Sequence, residues 1–410
     1  MASVQTIIIG GGMAGLACAA HLERAQHDWL LFEAADRPGG RVRTEVVDGY
    51  HLDRGFQVFL TAYPEARALL DYEALQLRSF KPGARVRLGN RWTRVGDPLR
   101  RPIDLFATLG ARVGSLADKM RVLGWKRRIS TASPEDLLAS PETTAAEALR
   151  QMGFSERMIE TFWRPFLGGI FLESELRTSS RMLHFVFKMF GEGEAALPAG
   201  GMGRMPEVLA QTLPFNRLRL NTPVGRISDG AVELEQGGRI SADRIVLATD
   251  GAAAQALLPD LPTPGFHGVI CDHFAFSDPV PYGDWLHLNG NRRRLVNNVA
   301  FPTALHPTLA PEGRHLATVT CLTEAPLSQV CADLRTLFGN RTDNWKHLRR
   351  DKIQRALPAR PHLEPPHLPI EAKPGLFVIG DHRGLPSLNS ALATGRLAAE
   401  SIIRGGTAGS

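Results

Sequence analysis

Three glycines near the start of the chain stand at a spacing that could bind phosphate. Gly10, Gly12 and Gly15 follow an apolar run, "IIIGGGMAGLACAAHLE", and fit the pattern Gly-x-Gly-x-x-Gly. Gly10 permits a sharp turn, Gly12 leaves room for phosphate beside the backbone, and Gly15 permits close packing of a helix on a strand. Met13 and Ala14 open the predicted helix, whose free N–H groups and dipole would favour a pyrophosphate. The spacing predicts dinucleotide binding, but nicotinamide and flavin enzymes share it.

An acidic residue follows at the position expected to bind ribose. Glu33 lies 18 positions after Gly15, at the end of the predicted strand "DWLLF". A carboxylate there can accept hydrogen bonds from both hydroxyls of an adenosine ribose. It would also repel a 2′-phosphate, so NADP is disfavoured. We predict that Ala34, the next residue, also belongs to the cofactor-binding site.

The stretch "EAADRPGGRVRT" carries a second glycine motif, Arg-x-Gly-Gly-Arg, that is not part of the nicotinamide pattern. It resembles the opening of the flavin-containing amine oxidase superfamily, which includes phytoene desaturases and protoporphyrinogen oxidases. Gly39 and Gly40 allow the loop to fold tightly over a pyrophosphate, and Arg41 can add a cation. The resemblance implies that FAD is the cofactor.

Two internal stretches resemble flavin-binding segments of the same superfamily. "GYHLDRGFQVF" resembles its Asp-x-Gly segment, in which Gly55 would give backbone clearance. Phe56 and Gln57 would then face the isoalloxazine ring or the substrate, although an ordinary turn between strands is the alternative. Val224, in "NTPVGRI", stands where the superfamily contacts adenine through backbone groups.

The closing stretch, "FVIGDHRGLPSLNSALATGR", resembles the final flavin motif of the superfamily. Gly380 and Asp381 follow a predicted strand, and the resemblance implies that Asp381 hydrogen-bonds the ribityl or phosphate region. Leu388 and Asn389 open a predicted helix whose N–H groups would point at the flavin pyrimidine. That placement would favour negative charge on the reduced ring.

Other features separate the chain from the amine oxidases of this superfamily. No cysteine follows Cys331, no aromatic residue lies between Gly380 and Ser410, and the strand "HGVICDHFAF" lacks the lysine expected beside the flavin. By contrast, "KIQRALPARPHLEPP" resembles the phytoene-desaturase-like branch. The closest resemblance is therefore to the phytoene desaturase and protoporphyrinogen oxidase-like branch.

The order of elements predicts an α/β fold with α+β insertions. A discontinuous Rossmann-like FAD-binding domain is expected to hold an inserted substrate domain of mixed sheet and helices. The FAD-binding segments are predicted at 1–79, 195–253 and 366–410, and the substrate segments at 80–194 and 254–365. Residues from about 80 to 197 are expected to be mostly helical.

The bulk composition narrows the class of protein. Four cysteines without C-x-x-C spacing argue against a disulfide framework and a zinc site, and no metal site is expected. The sequence shows neither a secretory signal nor an apolar run long enough to span a bilayer. A cytoplasmic protein is expected, with peripheral attachment to the inner face of the membrane as a further option.

Positive charge is concentrated between Arg78 and Arg128, where fourteen Lys and Arg residues face three Asp, an excess of eleven charges. Apolar residues are interleaved at three- to four-residue spacing. An interfacial helix on an anionic membrane would have this pattern. A solvated helix pair is the alternative. Nucleic acid is not an expected partner, because no recognised binding module accompanies the charge.

Together these patterns predict an FAD-dependent oxidoreductase that dehydrogenates a small hydrophobic substrate by hydride transfer to flavin N5. The substrate could be an isoprenoid, a carotenoid or a porphyrinogen-like molecule, in a dry pocket lined by aromatic residues of "FWRPFLGGIFL" and "MLHFVFKMF". A redox-neutral flavin isomerase, an amine oxidase and a binding protein similar to Rab escort proteins are the alternatives. The residues specify no catalytic base and no electron acceptor.

Overall fold

The computed structural model describes residues 3–228, 230–292, 295–363 and 368–406. The strands are β1 (Ser3–Ile9), β2 (Trp29–Phe32), β3 (Thr44–Val47), β4 (Tyr50–Asp53), β5 (Phe59–Leu60), β6 (Arg78–Ser79), β7 (Gly83–Leu88), β8 (Arg91–Gly96), β9 (Ala195–Leu197), β10 (Leu218–Arg219), β11 (Val224–Ser228), β12 (Ala231–Leu234), β13 (Arg239–Leu247), β14 (Gly265–Phe276), β15 (Leu286–Asn289), β16 (Val296–Ala300), β17 (His315–Cys321), β18 (Lys346–Ala359), β19 (Glu371–Lys373) and β20 (Leu376–Val378).

The helices are α1 (Met13–Arg24), α2 (Pro64–Leu69), α3 (Tyr72–Leu75), α4 (Leu105–Gly110), α5 (Leu116–Thr131), α6 (Pro134–Ala139), α7 (Ala145–Gln151), α8 (Glu156–Met158), α9 (Arg164–Phe171), α10 (Ser180–Glu192), α11 (Arg204–Gln211), α12 (Gly251–Leu257), α13 (Leu327–Phe338) and α14 (Leu388–Gly406). A π-helical turn, Ile159–Trp163, joins α8 to α9.

The first sheet has a parallel core in the order β10-β2-β1-β13-β20. Strand β1 lies in its centre, and Ile7 and Ile8 are fully buried because helices or loops cover both faces. Helix α14 crosses α1 so closely that a Cβ at Gly395 would lie 2.4 Å from the Ala14 carbonyl oxygen. The parallel order brings the carboxyl ends of these five strands to one edge, where ligands bind in such sheets.

The second sheet runs β18-β14-β17-β16-β15-β7-β8 and is mostly antiparallel. Helix α13 covers one face through Val330 and Leu334, both buried. The expectation that residues 80–197 are mostly helical is wrong at β7 and β8. Arginines alternate there with the fully buried Ala84 and Val86. This two-residue period favours a strand, and the hairpin pairs with β15.

The predicted α/β class is confirmed, with its Rossmann-like sheet and its second sheet of mixed direction. The proposed boundaries at 79/80, 194/195 and 253/254 stay predictions, and the boundary at 365/366 falls outside the described residues. Within the described ranges, no helix is long and apolar enough to cross a membrane.

The aromatic residues expected to line a pocket pack largely against one another between α5, α9 and α10. Trp125 stacks on Phe187 with ring centroids 3.8 Å apart, and Trp163 meets Phe154 and Phe166 edge-to-face. Trp125 and Trp163 are both buried. These rings therefore form the core of the helical region.

Candidate functional site

The first glycine turn has the geometry that its spacing predicts. Gly10 adopts φ +108° and its N–H donates to the Phe32 carbonyl at 2.8 Å. A Cβ at Gly15 would lie 2.0 Å from the Gly10 oxygen, so no side chain fits there. At Gly12 a Cβ would meet nothing within 4 Å, which leaves open space above the turn. Helix α1 begins directly afterwards at Met13, and the buried Ala14 completes its first turn.

Glu33 ends the second strand and holds the turn in place. Its Oε2 accepts the Gly11 N–H at 2.6 Å, and its Oε1 accepts the Ala35 N–H at 2.8 Å. Its carbonyl oxygen accepts the Thr222 N–H at 2.9 Å, two residues before β11 begins at Val224. The exposed Ala34 and the half-buried Val224 therefore lie near the carboxylate assigned to the ribose.

The second glycine motif folds over the first. The Gly39 N–H donates to the Gly11 carbonyl at 2.8 Å, and Gly12 and Gly39 form an isolated parallel bridge. Gly40 adopts φ +59°, and a Cβ there would lie 3.5 Å from the Gly12 Cα. Two backbone loops thus enclose the space that the open side of Gly12 leaves.

Arg41 connects this loop to the closing motif across 340 positions of the chain. Its Nη2 pairs with Asp381 Oδ1 at 2.5 Å, and its Nη1 donates to the Ala356 carbonyl at 3.0 Å. Burial lowers the pKa of Arg41, but the ion pair with Asp381 outweighs burial and leaves this pKa above its ordinary value. Asp381 follows Gly380, whose φ of +139° favours glycine.

His382 is a residue of the site that the sequence patterns did not single out. Its ring is buried, and neither nitrogen has a hydrogen-bond partner among the described residues. Burial lowers the pKa of His382 to about 4, so the ring is neutral at physiological pH. Buried polar atoms almost always have partners. Two unpartnered nitrogens beside Asp381, together with the open Gly12, fit a cofactor that brings phosphate and hydroxyl groups.

The Gly55 loop lies between the cofactor turn and the second sheet. Gly55 has φ +82°, and a Cβ there would lie 2.8 Å from Ile353 Cδ1 on β18. Phe56 contacts Phe80 edge-to-face at 6.2 Å. The Gln57 amide donates to the Arg41 carbonyl at 3.0 Å, so this side chain supports the arginine loop. That Phe56 and Gln57 face the flavin or substrate stays a prediction.

Asp53 joins β3 to the glycine-rich loop before α11, and the sequence did not predict a role for it. Its Oδ1 accepts the Thr44 hydroxyl at 2.5 Å and the Met202 N–H at 2.9 Å. The Thr44 Oγ1 in turn accepts the Gly203 N–H at 2.7 Å. Burial raises the pKa of Asp53 to about 6, although these hydrogen bonds oppose the rise. The Gly-rich sequence "PAGGMGRM" could have indicated this role, because the backbone N–H groups of such a loop need hydrogen-bond acceptors from elsewhere in the chain.

The closing helix begins where the sequence predicts. Helix α14 starts at Leu388, and the Ser387 hydroxyl accepts the Ser390 N–H at 3.2 Å. Asn389 Oδ1 accepts the Glu65 N–H at 3.1 Å, which ties the helix start to α2. The Asn389 side chain is thus engaged within the chain, and the contribution of the Leu388 and Asn389 backbone to flavin binding stays a prediction.

An exposed apolar surface lies within the basic segment. The described residues include ten exposed large hydrophobic side chains, and seven of them lie between positions 99 and 120. We call these seven the apolar ridge: Leu99, Ile103, Leu105, Phe106, Leu109, Leu116 and Met120. Phe106 is 83% exposed and Ile103 is 74% exposed.

The cations of this segment do not form the continuous charged face expected from the sequence. Arg100 donates to the Gly191 and Gly193 carbonyls at 2.5 and 2.6 Å. Lys119 is buried and donates to the Leu109 and Ala111 carbonyls. These side chains cap helix ends and turns, because buried carbonyls need donors. Arg112, Arg127 and Arg128 are exposed.

Comparison with known proteins identifies the family. The profile "Flavin containing amine oxidoreductase" matches residues 13–403. The chain belongs to this family. The protein is thus an FAD-dependent oxidoreductase. That the glycine turns, Glu33, Arg41 and Asp381 bind the cofactor of this flavin-containing amine oxidoreductase stays a prediction.

The relatives of this oxidoreductase confirm the predicted branch. Coproporphyrinogen III oxidase of Bacillus subtilis is 23% identical over 368 residues, 76% of each chain. Hydroxyneurosporene desaturase of Cereibacter sphaeroides is 27% identical over 290 residues, 62% of this chain and 57% of the relative. Protoporphyrinogen oxidase 2 of Arabidopsis thaliana is 28% identical over 170 residues, and the match spans only 32% of that protein.

The fold of the oxidoreductase is also found among solved structures. An oxidoreductase from Methanosarcina mazei superposes with a TM-score of 0.75 at 19% identity, covering 97% of this chain and all of the other.

Within the described residues, no three His, Cys, Asp or Glu side chains form a group that could hold a metal ion.

Proposed function

We propose that this oxidoreductase dehydrogenates a hydrophobic porphyrinogen-like substrate. The observation that carries this proposal is the match to a coproporphyrinogen III oxidase over three quarters of both chains. The second sheet supports it, because β14 presents Cys271 and His273, and no lysine, toward the Gly55 loop. An amine oxidase of this superfamily would be expected to carry a lysine there.

Different residues of the chain would hold different parts of FAD. Bound FAD supplies a hydride acceptor at N5. The glycine turns and Glu33 would hold its adenosine end, while Arg41 and Asp381 would fix the region of the ribityl chain. The Gly55 loop and the facing sheet would close the reaction space and keep water out, which hydride transfer requires.

Desaturation of an isoprenoid or carotenoid is the second candidate, favoured by the match to hydroxyneurosporene desaturase over 62% of this chain. Both reactions extend the conjugation of the substrate by removing a hydride and a proton for each double bond formed. They differ in the substrate, and the difference can be measured directly.

The test mixes the FAD-loaded protein, without oxygen, with coproporphyrinogen III, protoporphyrinogen IX or a carotenoid precursor in vesicles. A porphyrinogen loses six electrons on becoming a porphyrin and each FAD accepts two, so the protein is used in at least threefold molar excess. We expect loss of the oxidised flavin absorbance and, once three FAD are reduced for each porphyrinogen, formation of a fluorescent porphyrin. Bleaching with the carotenoid alone would favour desaturation. If no porphyrinogen or carotenoid reduces the flavin, and an amine panel yields hydrogen peroxide, the proposal is wrong.

We also infer that the apolar ridge docks on an anionic membrane surface. Seven large apolar side chains are exposed to water within 22 consecutive positions, and exposed apolar surface of this kind marks interaction sites. The exposed Arg112, Arg127 and Arg128 lie on the same stretch of chain and would complement anionic headgroups. A hydrophobic substrate could then enter from the lipid phase.

Sedimentation with vesicles of phosphatidylglycerol and phosphatidylcholine tests this inference. The substitution Phe106→Ser, or the pair Arg127→Glu and Arg128→Glu, should strongly reduce co-sedimentation. Phe215→Ser is the matched control, because Phe215 is 94% exposed but lies outside the ridge. Arg100 is unsuitable for charge reversal, since it caps α10. If the wild-type protein never sediments, or the Phe106 variant sediments fully, the ridge does not bind lipid.

A further inference from the structure

A row of polar side chains crosses the face of the second sheet that meets the Gly55 loop. His273 on β14 is fully buried at its centre. Its Nδ1 lies 3.5 Å from the Thr318 hydroxyl on β17, and its Nε2 lies 3.3 Å from Asp351 Oδ2 on β18. The Cys271 sulfur is 3.7 Å from the same Nε2. Polar groups are costly to bury in a sheet core, so their alignment calls for an explanation.

The inner end of the row lies beside the loop predicted to face the flavin. Thr318 lines a small cavity together with Asp53, Gly55, Phe56 and Gln57. Thr318 is only 3% exposed, so it contacts this cavity rather than bulk solvent.

The outer end of the row reaches the surface. Asp351 Oδ2 accepts Arg349 Nη2 at 2.9 Å, and Arg349 Nη1 donates to Glu45 Oε2 at 2.8 Å. The exposed fraction of the side chain rises from 1% at His273 to 17% at Asp351 and 41% at Glu45. The contacts therefore run without a gap from the cavity to water.

We propose that Thr318, His273 and Asp351 form the route by which the proton released during substrate oxidation leaves the reaction space. The proposal rests on the proposed function, since it requires a dehydrogenation in the space beside the Gly55 loop. Forming one double bond removes a hydride, whose electron pair goes to bound FAD, and one proton. A closed and dry site needs a path for that proton.

The chemistry of each group suits its position in the route. The Thr318 hydroxyl can accept a proton from the cavity while it donates its own to His273 Nδ1. The ring then releases the proton on Nε2 to Asp351 and returns to the neutral form. Burial raises the pKa of Asp351, but His273 and Arg349 outweigh burial and hold this pKa below its ordinary value. Asp351 is therefore ionised before it accepts the proton, and it then passes that proton to water.

If these residues only stabilised the fold, substituting them would not delay proton release while leaving flavin oxidation fast. A selective delay of the proton therefore distinguishes a proton route from a structural role. The charged groups that face His273 are Asp351 and Arg349 from β18 and Asp53 from β4. All three remain in a His273→Gln variant, which keeps a polar side chain but cannot relay a proton.

The decisive experiment uses the FAD-loaded protein and needs no natural substrate. The flavin is reduced by light, and ferricyanide then re-oxidises it in stopped flow with a pH-indicator dye. Ferricyanide accepts only electrons, so each re-oxidised flavin leaves a proton in the site. We expect dye response and flavin absorbance to rise together in the wild type. In His273→Gln the proton should appear about a hundredfold later, near the lower end of what a positioned proton-transfer group contributes.

Two variants make the result interpretable. Asp351→Asn, nearer the surface, should also delay the proton, which keeps the test valid if the His273 variant fails to fold. His347→Gln is the matched control, because His347 pairs with Asp272 on the opposite face of the same strands. Undelayed proton release in flavin-loaded His273→Gln or Asp351→Asn would overturn the route. An inactive porphyrinogen assay with a delayed proton would instead reject only the proposed substrate.

Discussion

Two regions of the molecule bury opposite kinds of side chain. They are the cofactor cleft, by which we mean the glycine turns with Glu33, Arg41 and Asp381, and the apolar ridge. In the cleft, charged side chains are turned inward and bonded to backbone, as Glu33 is to Gly11 and Ala35. On the ridge, apolar side chains such as Phe106 face water, while Lys119 is turned inward to cap carbonyls. The cleft is built to receive a polar ligand, and the ridge is left with surface that no part of the described chain covers.

The difference shows which parts of a sequence can be interpreted locally. The glycine turn, Glu33 and the start of α14 were predicted because the necessary contacts lie within a strand–turn–helix unit. Arg41 and Asp381 were assigned to the cofactor separately, and their ion pair was not predicted, since 340 positions separate the partners. His382 and His273 gave no signal, because their importance depends on burial and on neighbours from distant strands.

The basic segment illustrates the limit of pattern reasoning. Charge and apolar spacing predicted an interfacial helix, but β7 and β8 occupy the first part of the basic segment. The period of two in "ARVRL" was a sufficient signal for a strand. The use of Arg100 and Lys119 as caps could not be predicted, because the carbonyls that they reach lie on other elements or turns.

The largest contrast between the regions should come from their glycines. Gly15→Ala would place a Cβ 2.0 Å from a backbone oxygen, so we expect a loss of about 3 kcal/mol in the free energy of unfolding and loss of bound flavin. Gly124→Ala, on helix α5 with nothing within 4 Å, should instead stabilise by up to about 1 kcal/mol. Denaturant unfolding and visible absorbance measure both. Equal effects at the two positions would remove the contrast.

Asp53 should make the stability of the cleft depend on pH. Its native pKa of about 6 exceeds the ordinary value near 4, so the folded chain binds more protons between those pH values. The free energy of unfolding should therefore fall as pH rises through this window, by up to about 3 kcal/mol. Asp53→Asn should lose this dependence, whereas Asp260→Asn, at an exposed position, should keep it. A wild-type stability that rises from pH 4 to pH 6 would contradict the assignment.

Glu33→Gln tests the adenosine end of the cleft. Both carboxylate oxygens of Glu33 accept a backbone N–H group, and in Gln the amide NH2 would replace one of these acceptors and face an N–H donor. The turn would lose one hydrogen bond, so about 1–3 kcal/mol of FAD binding free energy should be lost. Titration of the apoprotein with FAD measures the affinity. The control is Glu207→Gln on α11, an exposed position, which should bind FAD as the wild type does. Full affinity in the Glu33 variant would mean that the ribose site is misplaced.

The smallest effect is expected on the ridge. Phe106→Ser removes a side chain that is already exposed, so the free energy of unfolding should change by less than about 0.5 kcal/mol, with flavin occupancy unchanged. Thermal unfolding and the ratio of flavin to protein absorbance check this. A large destabilisation would show that the ridge is packed in solution, for instance against a second copy of the chain.

The central claim is that this flavin-containing amine oxidoreductase passes a hydride from a porphyrinogen-like substrate to its FAD. Anaerobic mixing of the loaded protein with coproporphyrinogen III, followed by absorbance and porphyrin fluorescence, tests it most directly. We expect the oxidised flavin to bleach, with one porphyrin formed for every three FAD reduced, because a porphyrinogen gives up six electrons and each FAD accepts two. Flavin that stays oxidised, with no porphyrin formed, would contradict it.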